Sequence, residues 1–397
     1  MDLRDASLKL LLANRRKTNG YQYTVPSPST YPYQWLWDSC FHIIVLAKLD
    51  PDAAIAEVKA LLARQFDDGM IPHMIFWNPL LFRPYNIGWG KKGTSSITQP
   101  PMLAYASWEI YRKTNNVEFL RETFEGTYAF YRYIIEKRDP RDNHIVSIIN
   151  PDESGEDNSP RFDKPMGLKD DISFFGHMYE RQKLMGANRT CNFDVELCTR
   201  DHFWVKDVPF NAILLKNLEI LGHIASLLGE TEAEHFATLH HDLIKTAMRH
   251  YMFRDGVFWS VSGRDHEILE VATWAHFAPM FANLYTKEEA EYVMRTHFHN
   301  EETFKSEFGI RTVSKQEPSY RPTGFWRGPI WFAPHWFIYH GLRSYGYNKE
   351  AAWIAGVSGE LVEKNGFREY FNPETGKAHG ATNFTWGTLV LDMIEDA

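Results

Sequence analysis

Two kinds of helical segment alternate along this chain, and their alternation limits the fold more than any other feature of the sequence. Six segments are charged and amphipathic, and six others open with aromatic and polar residues before turning small and apolar. The amphipathic segments span residues 3–15, 51–65, 116–137, 231–250, 286–297 and 348–364. The aromatic-opening segments begin near residues 37, 101, 208, 271, 328 and 383. Strand-like alternation is confined to short pieces such as residues 143–149.

The spacing of the aromatic-opening segments indicates a repeat of helical hairpins. Four of the five intervals between their starts are 64, 63, 57 and 55 residues, and the fifth contains residues 139–206. Helices that are apolar on every side are buried, so six inner helices inside six outer helices fit the pattern. The sequence therefore predicts an all-α protein, with residues 1–397 as a single (α/α)6 toroid and residues 139–206 as an inserted lid segment over one mouth. A linear solenoid is the competing geometry, but it needs polar capping repeats, which are not evident.

Aromatic residues are unusually frequent, since 13 Trp, 19 Tyr and 27 Phe make up 15% of the chain. Core packing rarely needs so many tryptophans, whereas flat aromatic faces are typical of pockets that bind sugar rings. If the inner helices start around one cavity, their first residues meet at its mouth. The residues expected there are Trp35, Trp37, Asp38, Gln99, Asn211, Trp274, Arg327, Trp331 and Trp386.

Charge and hydropathy argue against several function classes. A net charge of -8 disfavours nucleic-acid binding, which relies on clustered Lys and Arg. No apolar run approaches the length of a membrane span, and residues 1–20 lack the basic-then-apolar order of a signal peptide. Cys40, Cys191 and Cys198 are an odd number without a CxxC pair, so we expect reduced thiols and a cytoplasmic protein. Cys191 and Cys198 could pair in an oxidising compartment, and assembly into a homo-oligomer is left open.

Two polar segments bring carboxylates towards the expected cavity. Residues 152–163, DESGEDNSPRFD, hold five acidic residues in a stretch that Ser, Gly, Asn and Pro keep from forming a regular helix. Residues 366–376, GFREYFNPETG, precede the last inner helix and contain Glu369 and Glu374. A solvated loop is the alternative for either segment, and we interpret Glu374 in this way. Two carboxylates facing each other across an aromatic cavity are what glycoside hydrolysis requires.

Four motifs together resemble glycoside hydrolase family 63, the processing α-glucosidase family, and the related trehalases and glucoamylases. They are YPYQWLWDSCFH, ESGEDNSPR, FWRGPIW and REYFNPETG, and the resemblance runs from Tyr31 to Trp386. It implies an inverting hydrolase of a small carbohydrate that needs no metal or cofactor, with Asp157 as general acid and Glu369 as general base. It also implies that Asp38 binds sugar hydroxyls. The expected substrate-binding residues are Tyr31, Trp35, Trp37, Asp38, Gln99, Gly155, Arg161, Trp326, Arg327, Trp331 and Trp386.

The compact chain resembles one branch of this family in particular. We expect no N-terminal β-sandwich of the kind found in larger processing glucosidases, because the first outer helix begins almost at Met1. Compact bacterial members include hydrolases of mannosylglycerate and glucosylglycerate, and Tyr31 and Trp326 match their glycerate-contacting positions. Phe325 stands where tyrosine is expected, and Asn383 lies near an expected glutamine. The substrate stays open between a glycosyl-glycerate and another small α-glucoside, with terminal α-glucose or α-mannose.

A general acid must arrive protonated, so the pKa of Asp157 is expected to be raised. We expect Glu153, Glu156 and Asp163 to raise it by like-charge repulsion, while Arg161 orients a carboxylate or binds substrate.

Two segments are expected to close the cavity into a pocket, namely residues 70–92 and the insert 139–206. Their aromatic residues and arginines include Trp77, Phe82, Tyr85, Trp89, Arg161, Arg189 and Arg200. A pocket admits the terminal sugar of a short substrate, which predicts exo action on disaccharide-sized α-glycosides. Inversion further predicts that the carboxyl groups of Asp157 and Glu369 stand about 6.5–9.5 Å apart, with room for a water molecule.

Two other function classes stay open, because the same toroid also carries sugar epimerases or isomerases and non-catalytic sugar-binding proteins. An epimerase would place two histidines at inner-helix starts, whereas His276 and His335 lie several residues into their helices. A pure binding protein would not need both Asp157 and Glu369. Hydrolysis is therefore the preferred function.

Overall fold

The computed structural model describes residues 2–77, 89–90, 93–168 and 172–396. Its outer helices are α1 (Leu3–Asn14), α3 (Pro51–Leu62), α5 (Val117–Lys137), α9 (Thr231–Met252), α11 (Lys287–Val293) and α13 (Asn348–Asn365). Its inner helices are α2 (Leu36–Leu49), α4 (Leu103–Thr114), α8 (Val208–Leu228), α10 (Ala278–Phe281), α12 (Phe332–Ser344) and α14 (Leu389–Glu395). Each inner helix packs against the next and α14 packs against α2, so the ring closes. The predicted (α/α)6 toroid is confirmed, and an open solenoid is excluded.

Local signals explain where these helices begin and how deeply they are buried. Asp50 caps α3 by accepting a hydrogen bond from the N–H of Ala53, and Pro51 follows at the first helical position. Asp207 caps α8 in the same way. Every residue of α2 from Leu36 to Ala47 is buried, as expected for an inner helix that is apolar on all sides.

Two inner helices differ from the predicted form because they begin as 3-10 turns, Trp274–His276 before α10 and Thr385–Thr388 before α14. Helix α10 is short: Pro279 lies in its first turn, where a missing N–H is tolerated, and Asn283 adopts a left-handed φ of 52° just after its end. The inner face of the toroid at this point is therefore built largely from turns.

The described strands are short and form no central sheet. They are β1 (Arg15–Thr18), β2 (Tyr21–Thr24), β3 (Gln34–Trp35), β4 (Met74–Ile75), β5 (Val205–Lys206), β6 (Phe253–Arg254), β7 (Val257–Phe258), β8 (Val261–Ser262), β9 (Glu267–Ile268), β10 (Lys305–Ser306), β11 (Gly309–Ile310), β12 (Arg368–Phe371) and β13 (Ala378–Thr382). They pair antiparallel in twos, apart from the three-stranded order β5-β8-β9. Residues 143–149 form no strand. Ile148 bridges Val205, while the side chain of Asn211 bonds both backbone groups of Val146.

The insert contains two helices that the sequence did not predict, α6 (Phe174–Thr190) and α7 (Val195–Asp201). Ser173 caps α6 through the N–H of Gly176, and Asp194 caps α7 through the N–H of Leu197.

The expectation of reduced thiols is wrong for one pair of cysteines, since Cys191 and Cys198 form a disulfide between α6 and α7. Cys40 is a buried free thiol, as expected for a small apolar residue of an inner helix. Disulfides are rare in the cytosol, so this bond weighs against the predicted cytoplasmic location, which stays a prediction. None of the described helices combines the length and the apolar character needed to cross a membrane.

Candidate active site

A cavity of about 420 Å³ opens where the inner helices begin. Its wall includes both predicted catalytic carboxylates, Asp157 and Glu369. The sequence-predicted binding residues in the wall are Tyr31, Trp35, Trp37, Asp38, Gln99, Gly155, Trp326, Trp331 and Trp386. Asn211 and Trp274 were also expected at this mouth but do not line the cavity.

One end of the cavity combines tryptophans with a single carboxylate. Asp38 is 4% exposed and accepts a hydrogen bond of 2.7 Å from Nε1 of Trp386. Trp386 stands edge-on to Trp37, with ring centroids 5.1 Å apart, and the N–H of Trp37 donates to Oε1 of Gln99 at 3.3 Å. Burial raises the pKa of Asp38 to about 6. This end offers aromatic faces and one strong acceptor, as hydroxyl-bearing rings require.

An aromatic stack forms the part of the wall next to Trp386. Trp326 and Trp331 lie parallel with ring centroids 4.1 Å apart, and Trp331 also stacks on Tyr370 at 5.1 Å. Nε1 of Trp331 donates to the carbonyl of Phe325 at 2.9 Å, which fixes the indole in the wall. The stack leaves little freedom to the residues that face the cavity.

Glu369 lies on β12 and is held in place by two donors. The hydroxyl of Tyr31 donates to Oε1 at 2.6 Å, and the N–H of Ala381 donates to Oε2 at 2.5 Å. The side chain is almost fully buried, and this burial raises its pKa, although the two hydrogen bonds oppose the rise. Glu374 lies outside the cavity lining, where it accepts hydrogen bonds from Arg311 and Tyr320.

The acidic segment 152–163 is anchored rather than solvated, because each of its acidic residues contacts an arginine. The pairs are Asp152–Arg181, Glu153–Arg138, Glu156–Arg161, Asp157–Arg181 and Asp163–Arg327. Most of these partners come from elsewhere in the fold, so the segment keeps a fixed position without regular secondary structure.

Arg161 and Arg327 do not lie where their predicted substrate contacts require, and Arg161 takes the alternative role of orienting a carboxylate. Arg161 binds both carboxylate oxygens of Glu156 at 2.8 Å and Asp207 at 2.8 Å through Nε. Arg327 binds both oxygens of Asp163 at 2.8 and 2.6 Å. Both arginines are buried and neither lines the cavity. They act as anchors of the acidic segment.

The side chain of Asp157 is 22% exposed and contacts Nη1 of Arg181 through Oδ2. Its pKa is raised to about 6, chiefly because the carboxyl is desolvated; Arg181 opposes this rise and Asp152 adds to it. The raised pKa agrees with the sequence-based expectation. Its predicted cause, repulsion by Glu153, Glu156 and Asp163, is wrong, because each of those carboxylates has its own arginine.

Helix α6 supplies cavity residues that sequence reasoning missed. His177, Met178, Arg181 and Gln182 occupy one side of the helix and line the cavity. His177 is buried, its Nε2 has no hydrogen-bond partner among the described residues, and burial next to Arg181 lowers its pKa to about 3. The arginines singled out in the insert, Arg189 and Arg200, are exposed instead.

The predicted closing segment 70–92 contributes Met74 and Trp89 to the cavity wall. Trp77 does not line the cavity; its Nε1 donates to Oε1 of Gln34 at 2.6 Å. Phe82 and Tyr85 lie outside the described residues, so their expected aromatic contacts stay predictions.

Replacing Gly155 by alanine is expected to destabilise the protein more than the same change at Gly167. Both glycines are left-handed, with φ of 75° and 67°, which costs an L-residue about 1–2 kcal/mol. An added Cβ at Gly155 would lie 2.2 Å from Cζ2 of Trp37, whereas no atom of the described residues lies within 4 Å at Gly167. Displacing Trp37 costs about 1–3 kcal/mol more. Urea unfolding of both variants measures the difference; equal midpoints would contradict the close packing of Trp37 on Gly155.

Known proteins resemble this chain over nearly its whole length. The family model of the mannosylglycerate hydrolase MGH1-like glycoside hydrolase domain matches residues 31–387. A mannosylglycerate hydrolase of Thermus thermophilus is 30% identical, over 96% of this chain and 99% of its own length. A glucosylglycerate hydrolase of Mycolicibacterium hassiacum is 26% identical, over 94% of each chain.

A solved structure supports the same relationship. The family 63 mannosylglycerate hydrolase of Thermus thermophilus in complex with Tris and D-glycerate matches with a TM-score of 0.89, at 30% identity over 100% of both chains. The resemblance inferred from the four sequence motifs is thereby confirmed. The chain belongs to the MGH1-like glycoside hydrolases of family 63.

Proposed function

We propose that this glycoside hydrolase removes a terminal α-linked mannose or glucose from glycerate, with inversion at the anomeric carbon. The observation that carries the proposal is the shared cavity of Asp157 and Glu369, two raised-pKa carboxyl groups among aromatic walls. Relatives that hydrolyse mannosylglycerate or glucosylglycerate support the substrate class.

The two carboxyl groups divide the chemistry between them. Protonated Asp157 gives its proton to the glycosidic oxygen while the bond from that oxygen to the anomeric carbon breaks. Glu369, oriented by Tyr31 and the N–H of Ala381, takes a proton from a water molecule that attacks the opposite face of the sugar. Free sugar and glycerate leave, and proton exchange with solvent restores both groups.

Different residues of the cavity wall suit different parts of such a substrate. Asp38, Trp37 and Trp386 would bind the sugar hydroxyls and ring faces. Arg181 would face the aglycone, since its guanidinium contacts the general acid Asp157 and lines the cavity. A carboxylate there gains a charge-assisted hydrogen bond, which favours glycerate over neutral alcohols.

Exo action is supported by the residues that wall the cavity beyond the inner helices. Helix α6 contributes His177 and Met178 to the wall, and the segment before α4 contributes Trp89. Walls on these sides favour a chain end over the middle of a polysaccharide. An epimerase is less well supported, because neither His276 nor His335 lines the cavity.

A substrate screen with product analysis tests the proposal. We expect kcat/KM on mannosylglycerate or glucosylglycerate to exceed that on trehalose, kojibiose, nigerose, maltose or isomaltose by about tenfold or more, because a hydrogen bond to a charged group is worth about 1.5–3 kcal/mol. Starch and dextran should not be cleaved. Proton NMR should detect the β-anomer of the sugar first, as inversion of an α-glycoside requires.

A different experimental result would exclude each part of the proposal. Initial release of the α-anomer would exclude inversion, and a rapid fall in the chain length of an α-glucan would exclude exo action. Sugar binding without any turnover would favour the non-catalytic alternative, and formation of an epimer would favour an epimerase.

A further inference from the structure

Arg181, which the proposed function places next to the aglycone, is shared by two carboxylates of the cavity wall. Nε donates to Oδ2 of Asp152 at 3.2 Å, Nη2 contacts Oδ1 of the same residue, and Nη1 contacts Oδ2 of Asp157. A guanidinium has five N–H donors, and these contacts use three of them, so two further donors can bind a ligand. The side chain is 20% exposed and lines the cavity. A ligand can therefore reach the same guanidinium that holds Asp157.

The contact between Arg181 and Asp157 opposes the role proposed for Asp157. A neighbouring cation favours the ionised form of a carboxyl group, whereas a general acid has to enter the reaction protonated. Desolvation of Asp157 and the charge of Asp152 act in the other direction. Opposing effects thus set the pKa of Asp157. Removal of the Arg181 contact would raise this pKa and favour the protonated form.

None of the other charged groups that the structure describes near Asp157 can replace Arg181. Glu369, Asp38 and Tyr31 line the same cavity and interact electrostatically with one another or with Asp157, and none of them is a cation. His177 is kept neutral by burial and by neighbouring arginines. Arg327, which lies shortly before α12 and helps to lower the pKa of His177, is already bound to both oxygens of Asp163.

Arg181 is consequently the single Lys or Arg in the cavity wall, as far as the described residues define that wall. An anionic ligand has this one cation to bind, and a carboxylate binds best to two parallel N–H groups of a guanidinium. The terminal Nη1 and Nη2 offer such a pair, but Nη1 is the atom bound to Asp157.

We propose that the carboxylate of an acidic aglycone takes Arg181 over from Asp157, and that this exchange keeps Asp157 protonated until the glycosidic oxygen receives its proton. The inference rests on the proposed function and adds no reactant to the hydrolysis. A neutral aglycone leaves Asp157 bound to Arg181 and ionised. After cleavage Asp157 is a carboxylate again, and its return to Arg181 assists the departure of the acidic product.

Proton uptake on product binding tests the exchange without turnover. D-glycerate is titrated into the protein near pH 7 in buffers of different ionisation enthalpy, with glycerol as the neutral probe. We expect glycerate binding to take up a large fraction of one proton, because Asp157, with a pKa of about 6, is mostly ionised beforehand. In Asp157→Asn, glycerate should still bind and the proton uptake should disappear.

Glycerate binding to the wild-type protein without proton uptake would overturn the inference and leave the proposed function standing. Proton uptake that persists in Asp157→Asn would also overturn it, because another group would then be the one that titrates. Failure of both glycerate and glycosyl-glycerates to bind would overturn the inference and the proposed function together.

The pH dependence of turnover gives a second readout. For mannosylglycerate and mannosylglycerol, which differ by a carboxylate in place of a hydroxymethyl group, the basic limb of kcat reports the general acid in the complex. We expect this limb to lie about one pH unit or more higher for mannosylglycerate. The basic limb of kcat/KM reports the free protein and should coincide for the two substrates. Coincident limbs of kcat would contradict the exchange.

Discussion

Asp157→Asn is expected to lower kcat on a glycosyl-glycerate by about 10²–10⁴-fold, because asparagine keeps the shape of the side chain but has no proton to give to the leaving oxygen. An activated substrate tests this role directly. The dinitrophenolate of a dinitrophenyl α-glycoside leaves without protonation. The loss of kcat on that substrate should therefore shrink to about tenfold or less. Equal losses on both substrates would show that Asp157 does not act as the general acid.

Asp152→Asn is the matched control for this prediction. Asp152 contacts the same guanidinium as Asp157 and also lines the cavity. Asp152 raises the pKa of Asp157 but is not expected to transfer a proton itself. At a pH below that pKa, where Asp157 is protonated in both proteins, its replacement should therefore affect both classes of substrate alike. The ratio between natural and activated substrates separates the two aspartates even if both variants lose activity.

Glu369→Gln is expected to reduce turnover by about 10²–10⁴-fold as well, since glutamine cannot take a proton from the attacking water. Azide needs no general base, so adding it should restore the release of an activated leaving group and yield a β-glycosyl azide. The product is identified by NMR.

Glu374→Gln provides the control for the base. Glu374 lies five residues further along the same polypeptide segment, outside the cavity lining, and contacts Arg311 and Tyr320. We expect its kcat to stay within about twofold of the wild type. Wild-type turnover by Glu369→Gln would exclude Glu369 as the base.

The ring could be predicted because its cause is local in the sequence. An inner helix such as α2 is apolar on every side, and an outer helix such as α3 has one apolar face. The apolar pattern of each segment therefore predicts which of its faces are buried. The positions of Asp38 and Trp37 in the cavity follow, since the start of an inner helix has to lie at a mouth.

Helix α6 escaped prediction because it lacks that regularity. His177 and Arg181 face the cavity, while Phe175 and Tyr179 are exposed, so its apolar residues form no stripe against a core. A hydrophobic pattern reports burial against other apolar groups, and this helix is placed over a polar opening instead. The capping residue Ser173 was the one local signal available.

The arginine that pairs with each carboxylate could not be predicted from the sequence either. Arg161 is the arginine within the acidic segment, yet it binds Glu156 and Asp207 beneath the cavity. Arg181, which contacts Asp157, comes from a separate helix. Opposite charges pair when the fold brings them close together. In a segment without regular secondary structure, sequence separation does not predict which charges these are.

Closure of the ring also has a consequence for the synthesis of the protein. The hydrogen bond between Trp386 and Asp38 joins residues 348 positions apart, and it lies where α14 meets α2. A ribosome delivers α2 first and α14 last of the inner helices, so the part of the cavity around Asp38 cannot assemble before residues 385–388 have emerged. Until then the apolar faces of α2 lack one neighbour, and contacts of such long range form slowly. We therefore expect the nascent chain to expose apolar surface that is prone to aggregation for most of its translation.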